Sequence, residues 1–556
     1  MYQFDSVTAG ERVVPEVVAQ ILAGRGIEAA GMERFLWPEY ERDAHDPWLL
    51  GDMEPAVARI AQAVANGERV VVYGDYDIDG ITASAVMLES LRALGIAAES
   101  YIPDRFEEGY GINQPALEQL QAAGADLVVS VDCGITSVNE AAWARAHGLD
   151  LIITDHHAAP EVLPEAVAVI NPKRPGDAYP FKELAGVGVA FKLVQALQSR
   201  LGKPVAGQEK WLLDLVALGT VCDVVPLVGE NRMLATYGLK VLRRTRRPGI
   251  LALAAVAGTD PEQFDTEALG FRLGPRMNAA GRLEHAAGSL ELVMTGDAVR
   301  ARELANGLDQ LNRERRKTQE AISVAALEAA GQYADDPVVV LAAADWSHGV
   351  VGIVASRLVE KLGKPVLVAQ ILGSEVKGSA RSTGAFNMVE ALRANAGILS
   401  RFGGHYYAAG FTLPGDRLDD FRASLNAYFR ESGAGDYATP EVAGELVFRE
   451  LSEIDWQLLA DFELLQPYGR ENPAPLLELK QVTALKVSRI GSGGQHVRLV
   501  VADHNGRRLN VIGFGLSERC GGLKEGQSLT LIGRLNKNEF QGTSSLQFVA
   551  EHIFYE

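Results

Sequence analysis

The chain reads as an α/β protein of several domains: a parallel-sheet lobe, a long connecting helix, a second smaller α/β lobe and a small β-barrel at the carboxyl end. Three observations predict this. Short Val/Ile-rich runs alternate with helix-length segments between residues 69 and 170. A stretch without proline runs over 297–333, long enough to link two bodies. Beyond about residue 442 the pattern changes to short strands separated by Gly and Asn turns.

Taken in order, residues 1–48 are mixed, and Pro38, Pro47 and the acidic stretch between them suggest an arm. The first lobe is expected over 49–230. Arg69-Val70-Val71-Val72-Tyr73 is an apolar run stopped by Gly74, followed by a helix over 81–94 that ends at Gly95. Strands follow at 98–102, 127–131, 151–154 and 166–170, with helices at 114–123 and 137–147. Continuous apolar runs, not alternating ones, mark strands covered on both faces by crossover helices. Residues 231–334 are helical and include the connector. The second lobe, 335–435, opens with a strand at 338–342, a helix at 350–362 and a strand at 365–369. Strands at 476–479, 497–502, 509–514, 529–533 and 546–549 make an OB-like barrel of 436–556.

A chain of 556 residues exceeds what one core supports, about 250–300 residues. Residues 1–20 lack the basic start and apolar block of a secretory leader, and no apolar run approaches the ~20 residues of a membrane span. Cys133, Cys222 and Cys520 form neither a disulfide framework nor a C-x-x-C knuckle, so a reducing cytoplasm is expected. Cys133 and Cys222 each adjoin an acid singled out below and are expected to be inert core residues. The net charge of −19 argues against a general nucleic-acid coat. Any DNA contact must be local and helped by bound cations.

The chemistry gathers after the strands. Gly74-Asp75-Tyr76-Asp77-Ile78-Asp79-Gly80 follows the first, Pro103-Asp104-Arg105 the second, Asp132-Cys133-Gly134 the third and Asp155-His156-His157 the fourth. Asp223 joins from a later helical segment. Open α/β sheets bind ligands at the carboxyl ends of their strands. A single Asp there is usually a turn former or cap. Four strand ends bringing carboxylate or imidazole to one edge, in apolar and Gly-rich surroundings, are better explained by bound metal. The set is rich in oxygen and has no thiolate, which favours Mn²⁺ or Mg²⁺, and so many carboxylates favour two ions over one.

These segments resemble the successive motifs of the DHH phosphoesterases. Within that superfamily the chain is similar to the RecJ exonucleases over most of its length. The resemblance is carried by Asp-Tyr-Asp-Ile-Asp-Gly, Val-Asp-Cys-Gly-Ile, Thr-Asp-His-His and Cys-Asp-Val-Val-Pro-Leu, and by four further segments. These are 106–111, 184–191, 274–282 and Gly403-Gly404-His405-Tyr406-Tyr407-Ala408-Ala409-Gly410. Ile78 stands where the family usually has Ala. The resemblance implies that Asp77, Asp79, Asp132, His156 and Asp223 hold two divalent ions, with Asp132 bridging and Asp75 as a ligand or support. It implies further that His157 contacts the reacting phosphate, that His405 opposes it from the second lobe, and that no protein nucleophile is needed.

The implied activity is 5′→3′ hydrolysis of single-stranded DNA to mononucleotides in recombination and repair. Implied partners are a single-strand-binding protein and a RecQ-type helicase, with the enzyme a monomer. The resemblance places Arg105, Ser379 and Arg381 in a 5′-phosphate pocket, with Arg276 nearby; Gly378-Ser379-Ala380-Arg381-Ser382-Thr383-Gly384 reads as a small-residue loop suited to forked phosphate contact. The basic run 243–247 is expected to track DNA, whereas 313–317 alternates with acid and is neutral evidence. Residues 536–541 are either a stacking site or an ordinary hairpin tip. The rival readings are a DHH phosphodiesterase of cyclic dinucleotides or short oligonucleotides, a DHH-related pyrophosphatase, and a non-catalytic DNA-binding relative found in replicative helicases. The terminal barrel and long connector disfavour the first, the greater length and the Gly403-Gly404-His405 loop disfavour the second, and the intact acids and histidines disfavour the last.

Overall fold

The computed structural model describes residues 8–9, 12–105, 108–384, 386–434, 442–540 and 542–555. Helices α1 (Glu16–Gly24) and α2 (Ala29–Leu36) lead into the first lobe. Its sheet has five parallel strands: β1 (Val70–Tyr73), β2 (Glu99–Tyr101), β3 (Leu127–Val131), β4 (Asp150–Thr154) and β5 (Ala168–Ile170), in the order β2-β1-β3-β4-β5. The order reverses between β1 and β3, so their carboxyl ends flank a crevice where such sheets bind ligands. Helix α3 (Ile78–Ala93) is buried nearly all round, packed against α4 (Gly186–Leu201) and α5 (Leu213–Cys222). That is why its sequence shows little amphipathic contrast. Helices α6 (Gly229–Leu242) and α7 (Gly274–Leu283) follow.

The connector α8 (Ala298–Ala330) is one helix of 33 residues, about 50 Å long at 1.5 Å per residue. Asp297 caps it by accepting from the Val299 and Arg300 N–H groups. Its first half places Ala301, Ala305 and Leu308 in the first lobe's core, and its second half places Ile322, Ala326 and Ala330 in a second-lobe core. The same rod therefore belongs to both bodies and fixes their spacing. The second lobe comprises β6 (Val339–Ala343), α9 (His348–Leu362), β7 (Val366–Leu372), β8 (Glu375–Arg381), β9 (Arg401–Gly404) and β10 (Ala408–Pro414). Its sheet order is β9-β10-β8-β7-β6; β6 and β7 pair in parallel, and the remaining pairs are antiparallel.

The barrel contains β11 (Leu446–Phe448), β12 (Leu477–Ile490), β13 (His496–Ala502), β14 (Arg508–Gly513), β15 (Ser528–Phe540) and β16 (Thr543–Tyr555). Pairing of β12 with β15 closes a five-stranded barrel. Three of these strands run 13 or 14 residues, far past the short apolar runs that mark them in sequence. The apolar runs record only the portions that face the core. The segment expected as an arm divides between bodies. Val18, Ile21, Leu22, Met32, Phe35 and Leu36 share the barrel's core, whereas Tyr40 joins the first lobe's. No helix of the described residues is long and apolar enough to cross a membrane.

Candidate metal centre

After β1 the chain turns through Asp75, Tyr76 and Asp77 into α3. Asp77 is the N-cap and accepts from the Gly80 N–H at 3.1 Å. Asp79, in the first turn, accepts from the N–H groups of Gly186 at 2.6 Å and Val187 at 2.8 Å, where α4 begins. The first N–H groups of α4 thus face a carboxylate carried on the first turn of α3. Burial, reinforced by Asp77, nevertheless pushes the Asp79 carboxyl up to about 7. Asp132 leaves β3 with φ 60° and is 2% exposed. A Cβ on Gly186 would lie 2.4 Å from Asp132 Oδ1, so only glycine lets α4 start this close. Asp223 follows the last turn of α5.

Burial and the neighbouring acids hold Asp75, Asp132 and Asp223 well above the usual carboxylate range. Asp75 Oδ1 and Asp132 Oδ1 are buried with no hydrogen-bond partner. Neither ring nitrogen of His156 has one, and burial lowers that imidazole to about 3. Its Nε2 lies 3.2 Å from Asp132 Oδ1, 3.6 Å from Asp223 Oδ2 and 3.8 Å from Asp79 Oδ2. A neutral imidazole lone pair facing three carboxylate oxygens is unfavourable unless a cation stands among them.

The donors fall into groups whose ligand atoms all lie within 4.8 Å of one another. One comprises Asp75, Asp77 and Asp132, another Asp79, His156 and Asp223. A third, Asp132 with His156 and His157, links them. Asp132 therefore stands where a bridging carboxylate would, and Asp75 takes its place among the potential ligands. Five carboxylates and an imidazole fit hard divalent ions such as Mn²⁺ or Mg²⁺.

Asp155 has a different role, which the motif alone did not reveal. Its Oδ2 accepts from the Ile135 N–H at 2.9 Å. Its Oδ1 accepts from the His156 and His157 N–H groups at 2.7 and 3.1 Å and lies 2.7 Å from His157 Nδ1. Burial alone would raise its pKa, but the bond and charge of His157 outweigh it and hold the carboxyl down. Burial likewise would lower His157, and Asp155 reverses this and raises it. The Tyr110 hydroxyl, also missed in the sequence, lies 3.0 Å from His157 Nδ1 and donates to the Asp132 carbonyl at 3.3 Å. Phe106 and Glu107 of the same quoted segment lie outside the described residues. His405 is exposed on the β9–β10 hairpin, its N–H bonded to the Ala408 carbonyl at 2.7 Å. Burial and the charges of His157 and Lys173 lower its pKa.

Beside the Asp75–Asp77 end is a cluster of arginines. The Arg105 guanidinium lies 4.9 Å from the Tyr76 ring centroid, a stack where a surface ion pair was the alternative. Arg282, at the end of α7, donates to the Gly349 carbonyl in the first turn of α9 at 3.2 Å. Burial, then Arg105 and Arg315, lower its pKa to about 10. Arg381 donates to Ser356 Oγ at 3.2 Å, and burial and Arg105 lower its pKa. A Cβ on Gly352 would lie 3.2 Å from both Arg381 Nη2 and Ser379 Oγ. Half-buried cations that disfavour one another's charge suit an anion.

Several expectations change here. Ser379 and Arg381 lie on β8, not in a loop, because antiparallel pairing with β7 and β10 continues through Arg381. Arg276 is fastened to Asp309 of the connector at 2.9 Å and to the Arg272 carbonyl at 2.6 Å; Arg282, six residues on, meets Arg105 and Arg381 instead. In the basic run 243–247, Arg247 is held by Asp214 at 2.5 Å and by Glu89, and Arg243 donates to the Phe264 carbonyl at 2.8 Å, so neither is a free DNA contact. Burial pushes the Cys133 and Cys222 thiols up; Cys133 is buried and Cys222 half-buried. The Phe540 side chain and Gln541 lie outside the described residues.

Comparison with known proteins agrees with this architecture. Residues 69–220 match the DHH family, N-terminal domain, residues 335–431 the DHHA1 domain, and residues 449–552 the RecJ OB domain. The single-stranded-DNA-specific exonuclease RecJ of Bacillus subtilis (strain 168) is 39% identical over 547 residues, 98% of this chain and 68% of the relative. That of Escherichia coli (strain K12) is 36% identical over 570 residues, covering 97% of this chain and 96% of the relative. The crystal structure of RecJ in complex with Mn²⁺ from Thermus thermophilus superposes with a TM-score of 0.83 at 31% identity, over 97% of this chain and 76% of that one. Near-complete alignment to relatives above 30% identity, three matched domains and an intact donor set lead to one conclusion: the chain belongs to the RecJ family of single-stranded-DNA-specific exonucleases.

Proposed function

We propose that this chain hydrolyses single-stranded DNA from its 5′ end to 5′-mononucleotides, using two divalent ions. The observation that carries this reading is the pairing of two adjoining donor groups with the Arg105–Arg282–Arg381 pocket beside one end of them. Asp75, Asp77 and Asp132 would hold one ion, and Asp79, His156 and Asp223 the other, with Asp132 shared. When bound, such a pair supplies Lewis acidity for in-line phosphoryl displacement. The protein's own part is positioning. Asp155 orients His157 and favours its protonated form, which can donate to the reacting phosphate. His405 approaches the same phosphate from the second lobe. Arg105, Arg282, Arg381 and Ser379 take the terminal 5′ phosphate, which sets the polarity of attack.

Two lobes joined by one connector helix would enclose a channel for a single strand, and the barrel would extend its path, as OB folds do elsewhere. Family membership supports a role in recombination and repair beside a single-strand-binding protein and a RecQ-type helicase. The test is digestion of 5′-phosphorylated single-stranded DNA carrying a label at each end, with Mn²⁺ or with chelator. Early release of the 5′-terminal mononucleotide, absent in chelator and sparing blunt duplex, is the expected result. Persistence of the long strand alongside rapid cleavage of dinucleotides would overturn the substrate assignment.

A further inference from the structure

Asp223 is followed by a strained turn that leads to the barrel. Val224, though β-branched, has φ 59° and is 60% exposed. At Leu227 the backbone N–H donates to the Arg470 carbonyl at 2.8 Å, and a Cβ on Gly469 would lie 2.6 Å from Leu227 Cδ1. Across this contact Glu471 has φ 60°. The left-handed conformation is unfavourable for a non-glycine residue and persists where the surroundings impose it, often at functional sites. Of five such residues in the described chain, one is Asp132 and two, Val224 and Glu471, flank this contact.

The loop 465–473 is held from three sides. Arg232 of α6 is buried and donates to the carbonyls of Phe35 at 2.6 Å, Leu465 at 3.0 Å, Gln466 at 2.7 Å and Pro467 at 3.2 Å. Asn472 Nδ2 donates to the Leu465 and Pro467 carbonyls, each at 2.8 Å. Arg25 reaches Asn472 Oδ1 at 2.7 Å, the Pro473 carbonyl at 2.8 Å and Glu445 at 2.7 Å. The Arg470 side chain takes no part in this scaffold. It is exposed and makes no hydrogen bond or ion pair among the described residues. A fixed loop, joined through the Arg470 carbonyl to the segment that follows Asp223, thus presents a guanidinium with no partner among the described residues, in a chain whose net charge is −19.

Different cations act on the two ends of the donor set. Arg105 stacks on Tyr76, between Asp75 and Asp77, whereas Arg470 is joined through its carbonyl to Leu227, just past Asp223, and Lys173 follows Asn171, whose Nδ2 donates to the His157 carbonyl. Lys173 is already paired with Glu183 at 3.3 Å. A strand whose 5′ end lies among Arg105, Arg282 and Arg381 must leave past the Asp223 end. We propose that Arg470 binds a backbone phosphate of the DNA on the 3′ side of the bond being cut, so that the barrel's supporting loop supplies a substrate-binding residue to the cleavage centre. The side assigned to this contact rests on the 5′-pocket reading above.

The test compares the native chain with Arg470→Ala and Arg470→Lys. Substrates are single-stranded oligonucleotides, with a 5′ phosphate or a 5′ hydroxyl, carrying one uncharged methylphosphonate at successive linkages. On unmodified DNA, Arg470→Ala should raise KM roughly tenfold, the scale of one charged hydrogen bond. The slope of log(kcat/KM) against log salt should become shallower by about 0.7, one single-strand phosphate contact. Arg470→Lys should recover part of both. One methylphosphonate position should weaken cleavage by the native chain and be silent in Arg470→Ala. Identical methylphosphonate profiles in the two proteins would overturn the proposal and leave the 5′ pocket standing. Indifference of the native chain to the 5′ phosphate, with an Arg470-dependent linkage still present, would overturn the pocket and leave the contact standing.

Discussion

At Asp132 a single residue combines three constraints: a left-handed backbone, a buried oxygen with no hydrogen-bond partner, and an imidazole nitrogen 3.2 Å away. Each is unfavourable alone, and a divalent cation relieves the last two together. Asp132→Asn keeps the shape and removes the charge. It should lower Mn²⁺ affinity at least about 100-fold, more than the 10–100-fold typical of residues that only support a ligand. Titration followed by the electron paramagnetic resonance of free Mn²⁺ would measure this, and unchanged affinity would remove Asp132 from the ligand set. Asp155→Asn separates positioning from ligation, because Asp155 bonds His157 and backbone N–H groups. Here Mn²⁺ binding should persist while kcat falls roughly 10–100-fold. Arg381→Ala should abolish discrimination between 5′-phosphorylated and 5′-hydroxyl ends, and equal loss on both ends would count against the pocket.

Among the elements, the close start of α4 is the most exacting feature. Gly186 donates its N–H to Asp79 and leaves no room for a Cβ beside Asp132. In Gly186→Ala the new carbon must displace that carboxylate or the helix, so metal affinity should drop while the far-ultraviolet circular dichroism stays native. Retained affinity would show that α4 can withdraw without disturbing the centre. The connector works at the same scale: because α8 contributes to cores on both sides, bending it would move Arg381 and His405 away from the strand ends of the first lobe.

Across the whole molecule, the amino-terminal helices and the barrel form one body, although some 400 residues of sequence separate them. Deleting 442–556 alone would strip cover from Val18, Ile21, Leu22 and Phe35. That truncation should aggregate on size-exclusion chromatography, whereas deleting 1–38 as well should give a soluble two-lobed core that still binds Mn²⁺. Arg232 pins this body to the first lobe through four carbonyls, and its own pKa is lowered to about 9 by burial. Arg232→Ala leaves those acceptors unsatisfied and should cost on the order of 3 kcal/mol in chemical denaturation. A loss below about 0.5 kcal/mol, the range of ordinary surface substitutions, would show that water replaces the guanidinium.

Much of this protein was legible in the sequence, for a local physical reason. Parallel strands buried on both faces must be continuously apolar, and the residues after them must meet at one edge. Asp75, Asp77, Asp79, Asp132, His156 and His157 could therefore be placed together from their spacing alone, and the connector was legible from the absence of proline. What depends on distant packing was not. The division of duties within Asp155-His156-His157 is set by the Ile135 N–H and by Tyr110, neither of which the motif contains. Whether Arg276 or Arg282 meets Arg105 is decided by where α8 places Asp309 and where α9 begins. The residence of α1 and α2 in the barrel, and the bond between Leu227 and the Arg470 carbonyl, arise from contacts between segments hundreds of residues apart, which no local pattern encodes. The chemistry was thus determined by the sequence itself, through strand-end placement and ligand type. Which side chains orient that chemistry, and which body delivers them, was decided only when the lobes and barrel packed together.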